Sequence, residues 1–255
     1  MITDPVIWIG ALMMGLSLGL LGSGGSILTV PLLVYVANEP EKIAIAESLL
    51  IVGIVALVGS IIHILKRNVD YKLALLFGLP SMFSAYLGAY LSQFVSAQFQ
   101  MLLFAIVMLA ASVFMLKPKS TNDLAKQSKQ DGNPYVLIAA GLCVGVLAGL
   151  VGVGGGFLIV PVLLGVTAIK IHQAIATSLV IITMQSFAGF GKYAYLTSVQ
   201  SLSFNIELIT LVSICAVLGV FIGAWATQRL PQAKLKSLFG ISLIPLSVFI
   251  FYSNI

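Results

Sequence analysis

Two stretches of this chain combine residue types that can hold an anion without a basic side chain. Residues 19–31 read GLLGSGGSILTVP and residues 149–161 read GLVGVGGGFLIVP, each inside a long apolar run. Glycine lets a backbone leave helical geometry and approach a ligand closely. A proline in or near the first turns of a restarted helix costs little, because its missing N–H is unpaired there anyway. Each break therefore predicts an exposed helix N-terminus, with free N–H groups and about half a positive charge. Two such ends facing each other near mid-membrane would bind a small oxyanion. The lining would be Ser23, Gly24, Gly25 and Ser26 in the first copy and Gly154, Gly155 and Gly156 in the second. The other reading is that glycines serve tight helix packing; it suits scattered ones such as Gly88 and Gly223 better than a run closed by a proline.

Other polar residues stand in apolar surroundings. Ser48, Thr177 and Ser178 open the segments after the breaks; their hydroxyls are candidate donors to the anion, with bonding to helix carbonyls as the alternative. Gln185 lies deep in its segment, where an amide needs a partner, and is the stronger ligand candidate. Glu47 is a candidate proton carrier, against the alternative of a solvated carboxylate at the membrane edge. Lys192 and His63 lie near segment ends, where snorkelling to the interface is the default. A Lys192 turned inward would add a full charge to the anion path. Glu207 is expected at the water boundary.

Several chemistries are set aside. Neither glycine run ends in Gly-Lys-Ser/Thr or completes G-x-G-x-x-G after a strand, so no nucleotide site is expected. His63 and His172 fall at segment ends and no H-E-x-x-H or nucleophile–base spacing occurs, so neither an enzyme nor a cofactor or metal is expected. Cys143 and Cys215 stand alone in apolar runs and read as packing residues.

The elements that position these residues are membrane helices. Of 255 residues, 60% are hydrophobic and 8% charged, against roughly 25% charged in an ordinary soluble domain. Apolar runs reach the ~20 residues needed to cross a bilayer, and they are too continuous for an outer-membrane barrel. The net charge of +5 resides mostly in loops, so no nucleic-acid partner is inferred. The N-terminus lacks the basic region of a cleavable signal, so the first hydrophobic segment is expected to be retained. Eight units follow: Val6 to Val36 (interrupted), Ile43 to Leu65, Leu73 to Phe94, Gln98 to Leu116, Tyr135 to Ala168 (interrupted), His172 to Tyr195, Phe204 to Thr227 and Gln232 to Tyr252. The division is a transmembrane repeat over 1–116, a polar cytoplasmic linker over 117–134 and a second transmembrane repeat over 135–255.

The two sides of the linker are copies. A shift of 130 residues lays Gly19, Gly22, Gly24, Gly25, Val30 and Pro31 on Gly149, Gly152, Gly154, Gly155, Val160 and Pro161, and Ala46 and Ser48 on Ala176 and Ser178. With the shift grown to 135, YLGAYLS falls on FIGAWAT. If each interrupted unit dips in and returns to its starting side, eleven loop Lys and Arg share one side against Lys42 alone, as the positive-inside rule prefers. The expected fold is thus all-α: a polytopic bundle of two inverted repeats, each a broken or re-entrant unit followed by three transmembrane helices, with both termini outside. The alternative is eight full crossings in two parallel four-helix repeats.

These residues resemble the sulfite exporter TauE/SafE family, also called the toluene-sulfonate uptake permease family. The resemblance rests on the duplicated glycine-rich stretch ending in Val-Pro and on the Ala-x-x-Ser element after each copy, AESL and ATSL. It covers essentially the whole chain. It implies a bacterial inner-membrane protein that moves small organosulfur or carboxylate anions such as sulfite, sulfoacetate or sulfonates. The copies differ, with Ser26 against Gly156 and Glu47 against Thr177, so the halves should contribute unequally.

The expected function is a secondary transporter of a small anion, with a passive anion channel as the alternative. Expected partners are the anion, the lipid bilayer and a proton or Na⁺ as coupling ion, with a homo-oligomer left open.

Overall fold

The structure, a computed structural model, describes residues 5–22, 25–116, 133–152, 156–167, 169–199, 204–226, 241, 244–245 and 247–253. Among these the chain is helical between turns and contains no strand. In chain order the helices are α1 (Pro5–Leu21), α2 (Gly25–Pro31), α3 (Glu41–Leu65), α4 (Tyr71–Leu91), α5 (Ala97–Leu116), α6 (Pro134–Val151), α7 (Gly156–Val166), α8 (Ile171–Val199) and α9 (Ile206–Ala226). Five spans, Glu41–Leu65, Tyr71–Phe94, Pro134–Val151, His172–Leu196 and Ile206–Ala226, are long and apolar enough to cross a membrane. Most of the linker and most of the expected last unit, Gln232 to Tyr252, lie outside the described residues.

Helix ends follow local chemistry. The Asp70 carboxylate accepts the Leu73 N–H at 3.1 Å and opens α4; the Asn205 amide oxygen does the same for Leu208 at 3.1 Å and opens α9. Asn133 accepts from the Tyr135 N–H, with Pro134 as first helical residue of α6. Such caps satisfy donors that have no partner within the helix. At the other end, α1 and α6 stop at Gly22 and Gly152, with φ of +67° and +77°, the left-handed geometry in which glycine commonly ends a helix.

The prolines fall later in the restarted helices than their first turn. Pro161 is the sixth residue of α7, and Pro31 is the last of α2. Past Pro31 the chain widens into a π-helical turn over Leu32–Val36, with the Ala37 N–H bonded to the Leu32 carbonyl at 3.0 Å. Proline removes a donor and crowds the carbonyl four residues back, which for Pro31 is that of Ile27 and for Pro161 that of Phe157.

Small residues set the packing. α1 and α2 form an antiparallel hairpin: a β-carbon at Gly25 would collide with Met14 and Leu18, one at Gly10 with Leu32, and the Thr29 hydroxyl donates to the Met14 sulfur at 2.9 Å. α1 runs parallel to α9, where Gly15 and Gly19 meet the backbone of Ala216 and Val220 and Gly223 meets Leu16. α6 runs parallel to α4 in the same manner, with Gly141, Gly145 and Gly149 against Phe77, Ser81 and Ala85. Backbones approach closely through such positions because, in lipid, packing rather than the hydrophobic effect holds helices together. Gly88 and Gly223 are packing glycines, as expected.

At the centre α3 and α8 cross antiparallel. Gly189 faces Leu49, Gly53 faces Ser186 and Phe187, and Gly59 faces Leu179. Large apolar side chains such as Ile9, Leu75, Phe83, Phe221 and Trp225 point outward, the surface a bilayer requires. Cys215 is buried, whereas Cys143 is exposed on α6 and is not the packing residue expected.

Candidate functional site

Each half holds the turn of the other. The Ser178 hydroxyl on α8 lies 2.9 Å from the Gly22 carbonyl, to which it donates, and 2.8 Å from the Ile175 carbonyl of its own helix. The Ser48 hydroxyl on α3 donates in the same way to the Gly152 carbonyl and shares its hydrogen with the Ile45 carbonyl. Both serines are fully buried. A β-carbon at Gly22 would strike Ile175 and one at Gly152 would strike Ile45, so these positions need glycine for space as well as for φ. Helix-terminal carbonyls have no partner within the helix; here a hydroxyl more than one hundred residues away supplies it.

A second exchange lies next to the first. Glu47 is fully buried, and its Oε1 accepts the Asn205 N–H at 2.8 Å. Thr177 is its counterpart, and its hydroxyl oxygen accepts the Asp70 N–H at 3.0 Å. The helix-capping residue of the third helix in one half is thereby tied to the second helix of the other. Asn205 also donates its amide N–H to Glu39 at 3.1 Å. The Oε2 of Glu47 makes no hydrogen bond among the described residues. The solvated membrane-edge carboxylate is corrected: the Asn205 turn folds over Glu47 and removes it from water.

Lys192 is also corrected. Its side chain does not snorkel; it is 7% exposed, and its ammonium lies 4.8, 4.9 and 5.8 Å from the ring centroids of Tyr90, Tyr195 and Tyr86. Gln185 is fully buried and its Oε1 accepts from the Ser81 hydroxyl of α4. Glu207 is exposed, as expected at a boundary. Ser23, Gly24, Gly154 and Gly155 lie outside the described residues, as does the Ser26 side chain; Gly25 and Gly156 are buried at the starts of α2 and α7.

The two breaks do not face each other at one depth. Gly152 is bonded beside Leu49 and Gly22 beside Leu179, which packs on Gly59. Ten residues of α3 separate those levels, roughly 15 Å at 1.5 Å per residue. The reason is helix length: α1 has 17 residues and α6 has 18, enough to carry each turn about 25 Å, past the middle of the bundle. Ser178 thus stands by the first break and Ser48 by the second, while Gln185 lies between them in depth.

Sequence reasoning passed over Asn205 and Asp70, and also Gln100 and Tyr193. Gln100 on α5 donates to the Leu150 carbonyl at 2.6 Å and to the Tyr193 hydroxyl oxygen at 3.1 Å, holding the last turn of α6. The available signal was an amide inside an apolar run.

The family model described as sulfite exporter TauE/SafE matches residues 7–250. A probable membrane transporter protein of Xylella fastidiosa is 29% identical over 95% of this chain and 92% of its own length. A probable membrane transporter protein of Methanocaldococcus jannaschii is 26% identical over 93% of this chain and 92% of its own. The probable membrane transporter protein YunE of Bacillus subtilis is 31% identical over 67% of this chain and 70% of its own. No solved structure matches the chain.

Proposed function

Because this chain belongs to the sulfite exporter TauE/SafE family and is a membrane transporter of that family, we propose that it moves a small organosulfur or related anion across a bacterial inner membrane as a secondary transporter. Sulfite, sulfoacetate and sulfonates are the proposed substrate class. The observation that carries the reading is the reciprocal holding of two glycine turns, Gly22 by Ser178 and Gly152 by Ser48. It supports a site in which the amide-bearing starts of α2 and α7, whose Gly25 and Gly156 are buried, attract negative charge.

The antiparallel crossing of α3 and α8, counterparts at a shift of 130 residues, supports inverted halves over 1–116 and 135–255 joined by a cytoplasmic linker. Parallel halves of full crossings would set those two helices in the same direction. Since the breaks lie at different depths, the anion is passed between them rather than clamped by both at once. A rocking of one half against the other would expose it alternately.

With the inside negative, export of one negative charge gains about 2.3 kcal/mol per 100 mV, so export needs no coupling ion and uptake does. Glu47 is the proposed proton-carrying group for a coupled mode.

The test is counterflow in proteoliposomes with sulfite, thiosulfate, sulfoacetate, lactate and phosphate, paired with thermal shift, since a ligand at a hundred times its Kd adds about 2.7 kcal/mol of stability. Saturable counterflow of a sulfur oxyanion is expected. Unsaturating flux with single-channel currents would make the protein a channel, and no flux or shift with any anion would overturn the reading.

A further inference from the structure

Polar residues recur every seventh position along α8: Ser178, Gln185 and Lys192. Seven residues are close to two full turns, so the three share one face of the helix. On that face Ser178 closes the Gly22 turn, Gln185 meets Ser81 of α4, and Lys192 meets Tyr86 and Tyr90 of α4. Asp70, at the start of α4, meets Thr177 at the opposite end. The seam between α4 and α8 thus carries polar contacts at both ends and midway, with Ile181 and Met184 packed on Gly78 between them, and Ser81, Ser84 and Gln185 are each no more than 1% exposed.

The duplication supplies an internal comparison. The corresponding seam, α9 against α3, has Val55 and Ala216 in place of Gln185 and Ser81, Ile62 in place of Lys192, and Phe221 and Trp225 in place of Tyr86 and Tyr90. It carries no hydroxyl, amide or ammonium group at these positions. Buried amides and ammonium groups are costly in a membrane and are retained for what they bind.

Lys192 is the clearest case. Among the described residues it forms no ion pair, only the three ring contacts. Aromatic faces stabilise a desolvated cation by about 2 kcal/mol or more but leave its charge uncompensated, and a buried cation with no counter-ion is the natural partner of a mobile anion.

Resting on the transport reading above, we infer that the α4–α8 seam is the anion's route, with Lys192 as its cationic station at one end and the Gln185–Ser81 pair as its polar station midway. The α3–α9 seam is the structural copy.

The experiment uses the full-length protein in proteoliposomes, with the anion of the panel that gives saturable counterflow in wild-type vesicles as probe. Lys192→Met is expected to raise the half-saturating concentration about tenfold, with Lys192→Arg keeping it within about threefold of wild type. The double change Gln185→Val with Ser81→Ala, which copies the other seam, is expected to lower saturated flux about tenfold. Val55→Ala, a change at the matching position of the other seam, is the control and should leave both constants within about twofold. Melting temperature in detergent separates misfolding from loss of function. Wild-type constants in both α4–α8 variants, or an equal loss in Val55→Ala, would overturn the assignment while leaving the transport reading intact. Wild-type vesicles that carry no anion of the panel would remove the transport reading, and the assignment with it.

Discussion

Ser178 donates its hydroxyl hydrogen to the carbonyl of Gly22, 156 residues earlier in the chain, at 2.9 Å. The bond joins the second helix of one half to the turn that ends the first helix of the other, and Ser48 repeats it on Gly152. Both serines are fully buried, so each bond gives its carbonyl a donor that water does not reach in to supply.

Ser178→Ala and Ser48→Ala should each destabilise the protein by about 1–3 kcal/mol, the cost of stranding a buried carbonyl. Because the two sites are on the order of 15 Å apart along α3 and share no partner, the double variant should show the sum to within about 0.5 kcal/mol. Thermal unfolding in detergent measures both. A synergistic loss would show that the turns are mechanically linked.

Gly22→Ala and Gly152→Ala should cost more than the serine changes. Each adds strain from a left-handed backbone, of order 1–3 kcal/mol, to a collision with Ile175 or Ile45. Trimming the obstacle, as in Gly152→Ala with Ile45→Ala, should recover only the collision part. Expression level and melting temperature of the single and double variants check this.

Glu47→Gln keeps an oxygen to accept the Asn205 N–H while removing the ionisable group, so the fold should survive with its melting temperature close to wild type. If Glu47 carries the coupled proton, transport by this variant becomes independent of pH. Glu39, joined to Glu47 through Asn205, is the nearest other carboxylate, and Glu39→Gln is the control. Flux measured across a pH series in both variants decides between them, and an unaltered profile in Glu47→Gln would restrict that residue to holding Asn205.

Asn205→Ala removes the cap on Leu208 and the link to Glu39 but leaves the backbone N–H that Glu47 accepts. It should cost about 1 kcal/mol, the usual value of a helix cap. Glu47→Ala strands that N–H and should cost about 1–3 kcal/mol. The ordering of the two melting temperatures tests whether Glu47 secures the start of α9.

The helical membrane bundle was legible in the sequence from its long apolar runs, and the duplication of the sequence from chemistry that repeats at a fixed offset: glycines, Val-Pro and Ala-x-x-Ser all reappear 130 residues on. Ser48 and Ser178 stood out in the sequence as donors either to an anion or to helix carbonyls; the carbonyls they bond, Gly152 and Gly22, could not be read because they lie far away in the chain. Burial of Glu47 was hidden for the same reason, because it depends on where the Asn205 turn comes to rest. The staggered depth of the two breaks could have been read from length alone: the 17 residues of α1 rise about 25 Å, most of a ~30 Å hydrocarbon core. Lys192 could not be placed from spacing, because its burial requires tyrosines from two helices converging on it.

The long reach of the Ser178–Gly22 bond also sets an order of events at the ribosome. Synthesis at about 5–20 residues per second leaves an interval on the order of ten to thirty seconds between the two residues. Throughout it the first hairpin has been made while the hydroxyl that will finish it has not. The nascent hairpin must wait in the insertion machinery or against lipid with that carbonyl lacking its final donor, so the first turn is completed only once the second half of the chain has been made.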